Sequence, residues 1–209
     1  MFFKKPQVRR RVTIPIESGV ATFLTFKNLA DQGEHLALAF GDWESQQTPL
    51  VRMHSECLTG DVFGSGKCDC GEQLQEAISK MQATGGILLY LRQEGRGIGL
   101  YNKLDAYDLQ AKGLDTYEAN QRLGFPNDLR KYDVAADMLK ALKKTRVRLL
   151  SNNPDKAEQL QNLGIDVAEA TQTGVFVKEA NEKYLRVKAE KTQHRIDLNL
   201  LQFSKKAFS

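Results

Sequence analysis

A chain of 209 residues, 41% hydrophobic and 27% charged, has the make-up of an ordinary globular protein with room for one sizeable core or two small ones. Five prolines and 16 glycines exclude collagen-like and low-complexity chains, and no apolar run approaches the roughly 18 residues of a membrane span. Thirty Lys and Arg against 26 Asp and Glu leave a net charge of +4, which suits an anionic small molecule as well as a nucleic acid.

The opening MFFKKPQVRRR is basic but has neither the apolar run nor the cleavage site of a secretory leader, so a cytoplasmic protein without a membrane partner is expected. Residues 1–11 read as a basic arm. Lys4, Lys5, Arg9, Arg10 and Arg11 lack the aromatic interleaving of a nucleic-acid surface, so no nucleic-acid partner is expected. Three short β-rich runs follow at 12–16, 21–26 and 36–40, punctuated by Gly19, Gly33 and Gly41. A fourth run, 49–53, leads into the polar cluster His54-Ser55-Glu56-Cys57.

From there the pattern alternates. Leu74, Ile78 and Met81 stand at helical spacing in 72–83, and Gly85-Gly86 stops the helix. ILLYL (87–91) reads as a strand buried on both faces. A Gly-rich loop at 95–99 then opens a helix over 100–111, and 133–142 and 155–163 read as further helices. Strands are expected at 147–150 and 165–167, and the last thirty residues read as helical, with 198–209 fraying. The alternation predicts an α/β fold: one domain spanning 1–209, a sheet layered with helices and a strand-rich N-terminal part.

Cys57, Cys68 and Cys70 fall within fourteen residues. An odd number of cysteines argues against a disulfide scaffold. Cys68-Asp69-Cys70 must bend to aim both sulfurs at one ion, and Gly64, Gly66 and Gly71 ease such a bend. Three thiolates leave one tetrahedral position open, as in a catalytic zinc site. The plainer alternatives are three inert core thiols, or a structural site completed by His54. The polar setting of Glu56, Asp61, Lys67 and Asp69 speaks against the first, and the closeness of His54 to Cys57 against the second. Two partial motifs fail. HSE lacks the P-C-x-x-C of a nucleobase deaminase, and GDVFGSGKC has the wrong spacing for a P-loop.

RQEGRGIG (92–99) lies between a strand and a helix. Its glycines let backbone N–H groups approach an anion, its two arginines can fork onto phosphate, and Glu94 can accept from a base, a sugar or a magnesium-bound water. A tight strand-to-helix turn is the plainer reading of the same glycines.

Six blocks, HSECLTGD (54–61), KCDCG (67–71), RQEGRGIGL (92–100), LDTYEAN (114–120), LGFPNDLR (123–130) and LLSNNPDK (149–156), occur in an order that resembles GTP cyclohydrolase II of riboflavin biosynthesis. The resemblance is dense over 50–160. It implies a mixed α/β fold with a mixed β-sheet, one zinc ion per subunit, magnesium with the substrate triphosphate, and a homodimer. It also implies hydrolysis of GTP with loss of the guanine C8 as formate and release of pyrophosphate, leaving 2,5-diamino-6-(5-phosphoribosylamino)pyrimidin-4(3H)-one.

Carried over position by position, the resemblance makes Cys57, Cys68 and Cys70 the zinc ligands. Arg52, Met53, His54, Ser55, Glu56, Gln73, Glu94, Gly95, Arg96, Thr116, Ser151 and Lys156 become substrate contacts. Tyr107 assists ring opening, Asp128 is the proton acceptor, and Arg130 is the nucleophile toward the α-phosphorus. A guanidinium is ordinarily a protonated donor, so a clamp on the α-phosphate stands beside the nucleophile as the role of Arg130. Taken singly, these residues have plainer readings: Tyr107 as a packing residue, Gln73 as exposed, Lys156 as a solvated helix charge, Thr116 as a cap, and Asp128–Arg130 as a surface ion pair.

The chain departs from the family pattern at Asp105 and Asp108 beside Tyr107, at Ser151 in place of threonine, in the VFGSG stretch and in the shortened TQTGVFVKEANEKYL segment. Two alternatives to full turnover follow. One is a paralogue that stops at pyrophosphate or a formamide; the other is a nucleotide-binding regulator without turnover.

Overall fold

The computed structural model describes residues 4–126 and 128–192; the expected fraying of 198–209 lies outside them. The chain groups into two compact units interleaved in sequence. The first comprises the chain up to His54, Gln75–Arg92 and Lys131–Thr173, and the second Ser55–Leu74, Gln93–Arg130 and the chain from Gly174.

The first unit is built on a seven-stranded sheet: β1 (Gln7–Ile16), β2 (Gly19–Lys27), β3 (Leu36–Phe40), β4 (Leu50–Ser55), β5 (Gly86–Leu91), β6 (Arg146–Leu150) and β7 (Asp166–Thr171). Their spatial order is β1-β2-β3-β5-β4-β6-β7. The pairs β1/β2, β2/β3 and β3/β5 are antiparallel, whereas β4/β6 and β6/β7 are parallel, so the sheet is mixed as expected. β5 is the buried strand that ILLYL predicts, with Ile87, Leu88, Leu89 and Leu91 almost wholly excluded from solvent.

Leu24, Val51, Met53, Leu89 and Leu149 share a core with Val134, Met138 and Leu139 of α5 (Asp133–Ala141) and Leu160 of α6 (Pro154–Asn162). Asn153 caps α6 by accepting from Asp155 N at 3.1 Å, with Pro154 in the first turn, where its missing N–H is harmless.

Part of the basic arm lies in the sheet. Gln7 to Arg11 belong to β1 and pair with β2, Arg10 standing opposite Thr25 and Arg11 opposite Leu24. Charged side chains on a strand at the end of the sheet order suit an edge that must not recruit another strand. Arg11 pairs with Glu44 and lies over the Trp43 ring at 5.6 Å.

The second unit is helical. It holds α1 (Leu58–Asp61), the first turn of α2 (Cys70–Thr84), a 3-10 turn at Glu94–Gly97, α3 (Leu100–Ala111), α4 (Thr116–Arg122) and α7 (Glu182–Thr192). Thr116 is the first helical residue of α4 rather than its cap. Asp115 takes the cap, accepting from Tyr117 N at 2.7 Å and Glu118 N at 3.0 Å, while Glu118 reaches back to Asp115 N at 2.7 Å. No helix among the described residues is long and apolar enough to cross a membrane.

Candidate functional site

The second unit gathers the three cysteines. Cys57 lies immediately before α1, and its carbonyl accepts from Gly60 N at 2.9 Å and Asp61 N at 2.7 Å. The Asp61 carboxylate returns a contact to Cys57 N at 2.9 Å, closing a tight loop around the residue. Cys70 is the first residue of α2, and the Asp69 carbonyl accepts from Gln73 N at 3.1 Å. The bend at Asp69, immediately before this helix begins, brings the two sulfurs of an i, i+2 pair within 4.8 Å of each other.

The three sulfurs lie within 4.8 Å of one another, and Cys57 Sγ is 3.6 Å from Cys68 Sγ. That separation is far too long for a disulfide. A tetrahedral ion bound at about 2.3 Å from each sulfur sets them roughly 3.8 Å apart, close to the Cys57–Cys68 separation, so this pair has the spacing of a metal site. Among the described residues the metal-competent group consists of these three. His54, the candidate fourth ligand, is buried in the first unit with its ring stacked on Tyr90 at 5.5 Å.

Gly60 forms the floor of the cluster. A Cβ there would lie 2.9 Å from Cys68 Sγ, 3.1 Å from Cys57 Sγ and 3.2 Å from Cys70 Cβ. Gly60→Ala is therefore expected to push the sulfurs apart and weaken metal binding by about tenfold or more, measured by chelator competition. An unchanged affinity would mean that the loop yields without moving the sulfurs.

Protonation of the trio is shared unequally. Hydrogen bonds from Cys68 and Cys70, with help from the Lys103 ammonium, hold the Cys57 thiol far below its ordinary range. Cys68, donating to Cys57 and buried, is pushed up to about 11, and Cys70 is raised for the same reasons. At neutral pH one thiolate is preformed and two protons must leave when a divalent ion binds. Apparent affinity is therefore expected to rise with pH by roughly a hundredfold per unit below the Cys68 value. Zinc titrations at pH 6, 7 and 8, with proton release followed in weak buffer, check the slope.

Beside the cysteines, Glu94 accepts from Leu58 N at 2.6 Å, Gly95 N at 2.8 Å and Lys103 Nζ at 2.8 Å. Gly95 and Arg96 both adopt left-handed backbone, with φ of 62° and 60°. For arginine that conformation is strained, and such strain concentrates at working loops. The Arg96 guanidinium lies over the Tyr117 ring at 5.3 Å, and its carbonyl accepts from Leu129 N at 3.0 Å. The loop is thereby tied to the segment carrying Asp128 and Arg130.

Asp128 grips Arg130 at three points: Oδ1 accepts from Arg130 N at 3.0 Å and Nε at 2.9 Å, and Oδ2 from Nη2 at 2.6 Å. Burial raises the Asp128 carboxyl, but hydrogen bonding and charge from Arg130 outweigh it and leave the group below its ordinary value. Tyr107, half-buried on α3, has its phenol raised chiefly by burial. Gln73 is buried rather than exposed, with Nε2 donating to Asp69 Oδ2 at 2.7 Å. Asp69 itself is wholly buried and is approached by Lys188 of α7 at 3.5 Å.

The remaining expected contacts belong to the first unit, except for Ser55, the last residue of β4, and Glu56 after it, which belong to the second. Arg52 and Met53 lie on β4, and Ser151 directly follows the parallel β6, so all three mark the carboxyl ends of neighbouring strands. Arg52 Nη1 donates to Leu150 O at 3.1 Å. Lys156 is buried, not solvated: Nζ donates to Met53 O at 2.7 Å and lies 5.6 Å from the Tyr132 ring.

The departures at Asp105 and Asp108 are also placed. Both are exposed on α3, and Asp108 is paired with Lys112 at 2.6 Å, while Lys103 and Ala106 occupy the buried side. Sequence reasoning missed Gly60 and Lys103. The one available signal for Lys103 was its position one helical turn before Tyr107.

A family model described as GTP cyclohydrolase II matches residues 7–172. A GTP cyclohydrolase-2 of Aliivibrio salmonicida (strain LFI1238) is 53% identical over 197 residues, covering 92% of this chain and 98% of the relative. A GTP cyclohydrolase-2 of Vibrio cholerae is 52% identical over 196 residues, covering 92% and 99%. A riboflavin biosynthesis protein RibBA of Bacillus cytotoxicus is 50% identical over 188 residues, covering 90% of this chain and 47% of that protein.

Proposed function

The chain belongs to the GTP cyclohydrolase II family, and we propose on that premise that it opens the guanine ring of GTP, releasing formate and pyrophosphate, in riboflavin biosynthesis. The observation that carries this reading is the Cys57–Cys68–Cys70 trio, two buried and one half-buried, whose sulfur spacing suits a four-coordinate ion with one position left for water.

When bound by the three sulfurs, zinc supplies Lewis acidity and an acidified water for attack at C8 of the purine. The chain's own residues supply position and charge. The left-handed Gly95-Arg96 turn carries the Arg96 guanidinium, a donor for the anionic substrate. Within the second unit, Gln73 and Thr116 serve as further contacts to the substrate. Magnesium arrives with the triphosphate. Arg130, held by Asp128, binds the α-phosphate where negative charge builds as pyrophosphate leaves. Because Asp128 stabilises the protonated guanidinium, the pairing favours the clamp over the nucleophile. Tyr107 acts as a hydrogen-bond donor toward the opening ring, its raised phenol keeping the proton in place at neutral pH.

The test is to incubate zinc-loaded protein with GTP and magnesium, assay formate and pyrophosphate, and identify the nucleotide product by mass. Formate and pyrophosphate in equal amounts are expected. Pyrophosphate without formate would identify a paralogue that stops early, and GTP bound but unconsumed would identify a regulator.

A further inference from the structure

Lys103 is buried on α3, one helical turn before Tyr107. Its Nζ donates to Glu94 Oε1 at 2.8 Å, to Thr59 Oγ1 at 3.0 Å and to Cys57 Sγ at 3.2 Å. An ammonium has three N–H bonds, so these three acceptors engage all of them and fix the head group. Its stem is confined as well: a Cβ at Gly95 would lie 3.1 Å from Lys103 Cβ, so that turn packs its backbone directly against the lysine.

A single carboxylate would already balance the ammonium, and a simple ion pair with Glu94 has no need of the sulfur. The contact to Cys57 is a charge-assisted hydrogen bond to a metal-binding atom. Three thiolates around a divalent ion leave a net charge of −1, and three strongly donating sulfurs blunt the ion's Lewis acidity. A cation donating to one sulfur draws electron density from it and offsets part of its donation to the ion. The same head group ties the Cys57 loop to the carboxylate that opens the Gly-rich turn.

We propose that Lys103 is a positioning residue for the metal centre, moderating the donation of Cys57 to the bound ion and holding the cysteine loop in register with Glu94. This rests on the reading of the cysteine trio as a metal site, and it is tested on the full chain with cobalt(II) in place of zinc, since sulfur-to-cobalt charge-transfer absorption reports thiolate donation directly. Lys103→Met is expected to bind one cobalt per chain with its charge-transfer band displaced to longer wavelength, and the zinc form to release formate at least about tenfold more slowly. Lys103→Gln, which keeps an N–H donor but no charge, is expected to shift the band in the same direction and serves if the methionine variant does not accumulate. A wild-type protein without any such band would overturn the metal centre itself. A wild-type band that neither variant moves, or a moved band with undiminished formate release, would overturn the role of Lys103 alone.

Discussion

Arg130→Ala is expected to slow GTP consumption by about a thousandfold or more while one zinc ion per chain stays bound, the loss seen when a charge-stabilising arginine is removed from phosphoryl transfer. The guanidinium is preoriented: Asp128 holds Nε and Nη2 in a fork, and the neighbouring Leu129 N donates to Arg96 O at 3.0 Å. Gly97 lets this segment approach closely, since a Cβ there would lie 3.0 Å from Leu129 Cβ. The side chain has its geometry set before substrate arrives, so its removal forfeits stabilisation in the transition state rather than general affinity. Steady-state kinetics on Arg130→Ala and Arg130→Lys, with metal content measured in parallel, check this. Lysine keeps the charge but loses the fork, so it is expected to recover only a small part of the rate. Unchanged turnover in the alanine variant would remove Arg130 from the mechanism. A guanylyl adduct on Arg130 in quenched reactions would restore the nucleophile in place of the clamp.

Cys57→Ser has the second large effect. Serine lacks an anionic sulfur at neutral pH, and Cys57 is the member of the trio whose thiolate is preformed. The variant also gives Lys103 a neutral hydroxyl in place of a thiolate, weakening a charge-assisted hydrogen bond to a buried ammonium. Bound zinc and formate release are expected to fall together, each by more than about a hundredfold in affinity or rate, exceeding the loss typical of an outer-shell change. Metal analysis, formate assay and far-UV circular dichroism on one preparation separate loss of the ion from loss of the fold. A variant that keeps full metal and native ellipticity would show that Cys57 is not a ligand.

Asp105 and Asp108 illustrate how placement alters a reading. Beside Tyr107 in the sequence, two acidic residues look hostile to a triphosphate. On α3 both are exposed, and Asp108 is neutralised by Lys112 one turn on. The charge that reaches the cysteines is instead the cation of Lys103.

The sequence by itself determined the element pattern, the α/β class and the close grouping of three cysteines. Periodicity is a local property, and thiols so close together have few chemical uses. It could not determine that Arg9, Arg10 and Arg11 form an edge strand, because a strand is defined by its partner and β2 had still to be paired with it. Nor could it show that Lys156 and Gln73 are buried, that Gly60 underlies the sulfurs, or that a lysine 46 residues beyond Cys57 donates to it. Those facts depend on which distant segments the fold brings within about 3 Å of each other, where desolvation makes a hydrogen bond to a charge far stronger than the same pair in water.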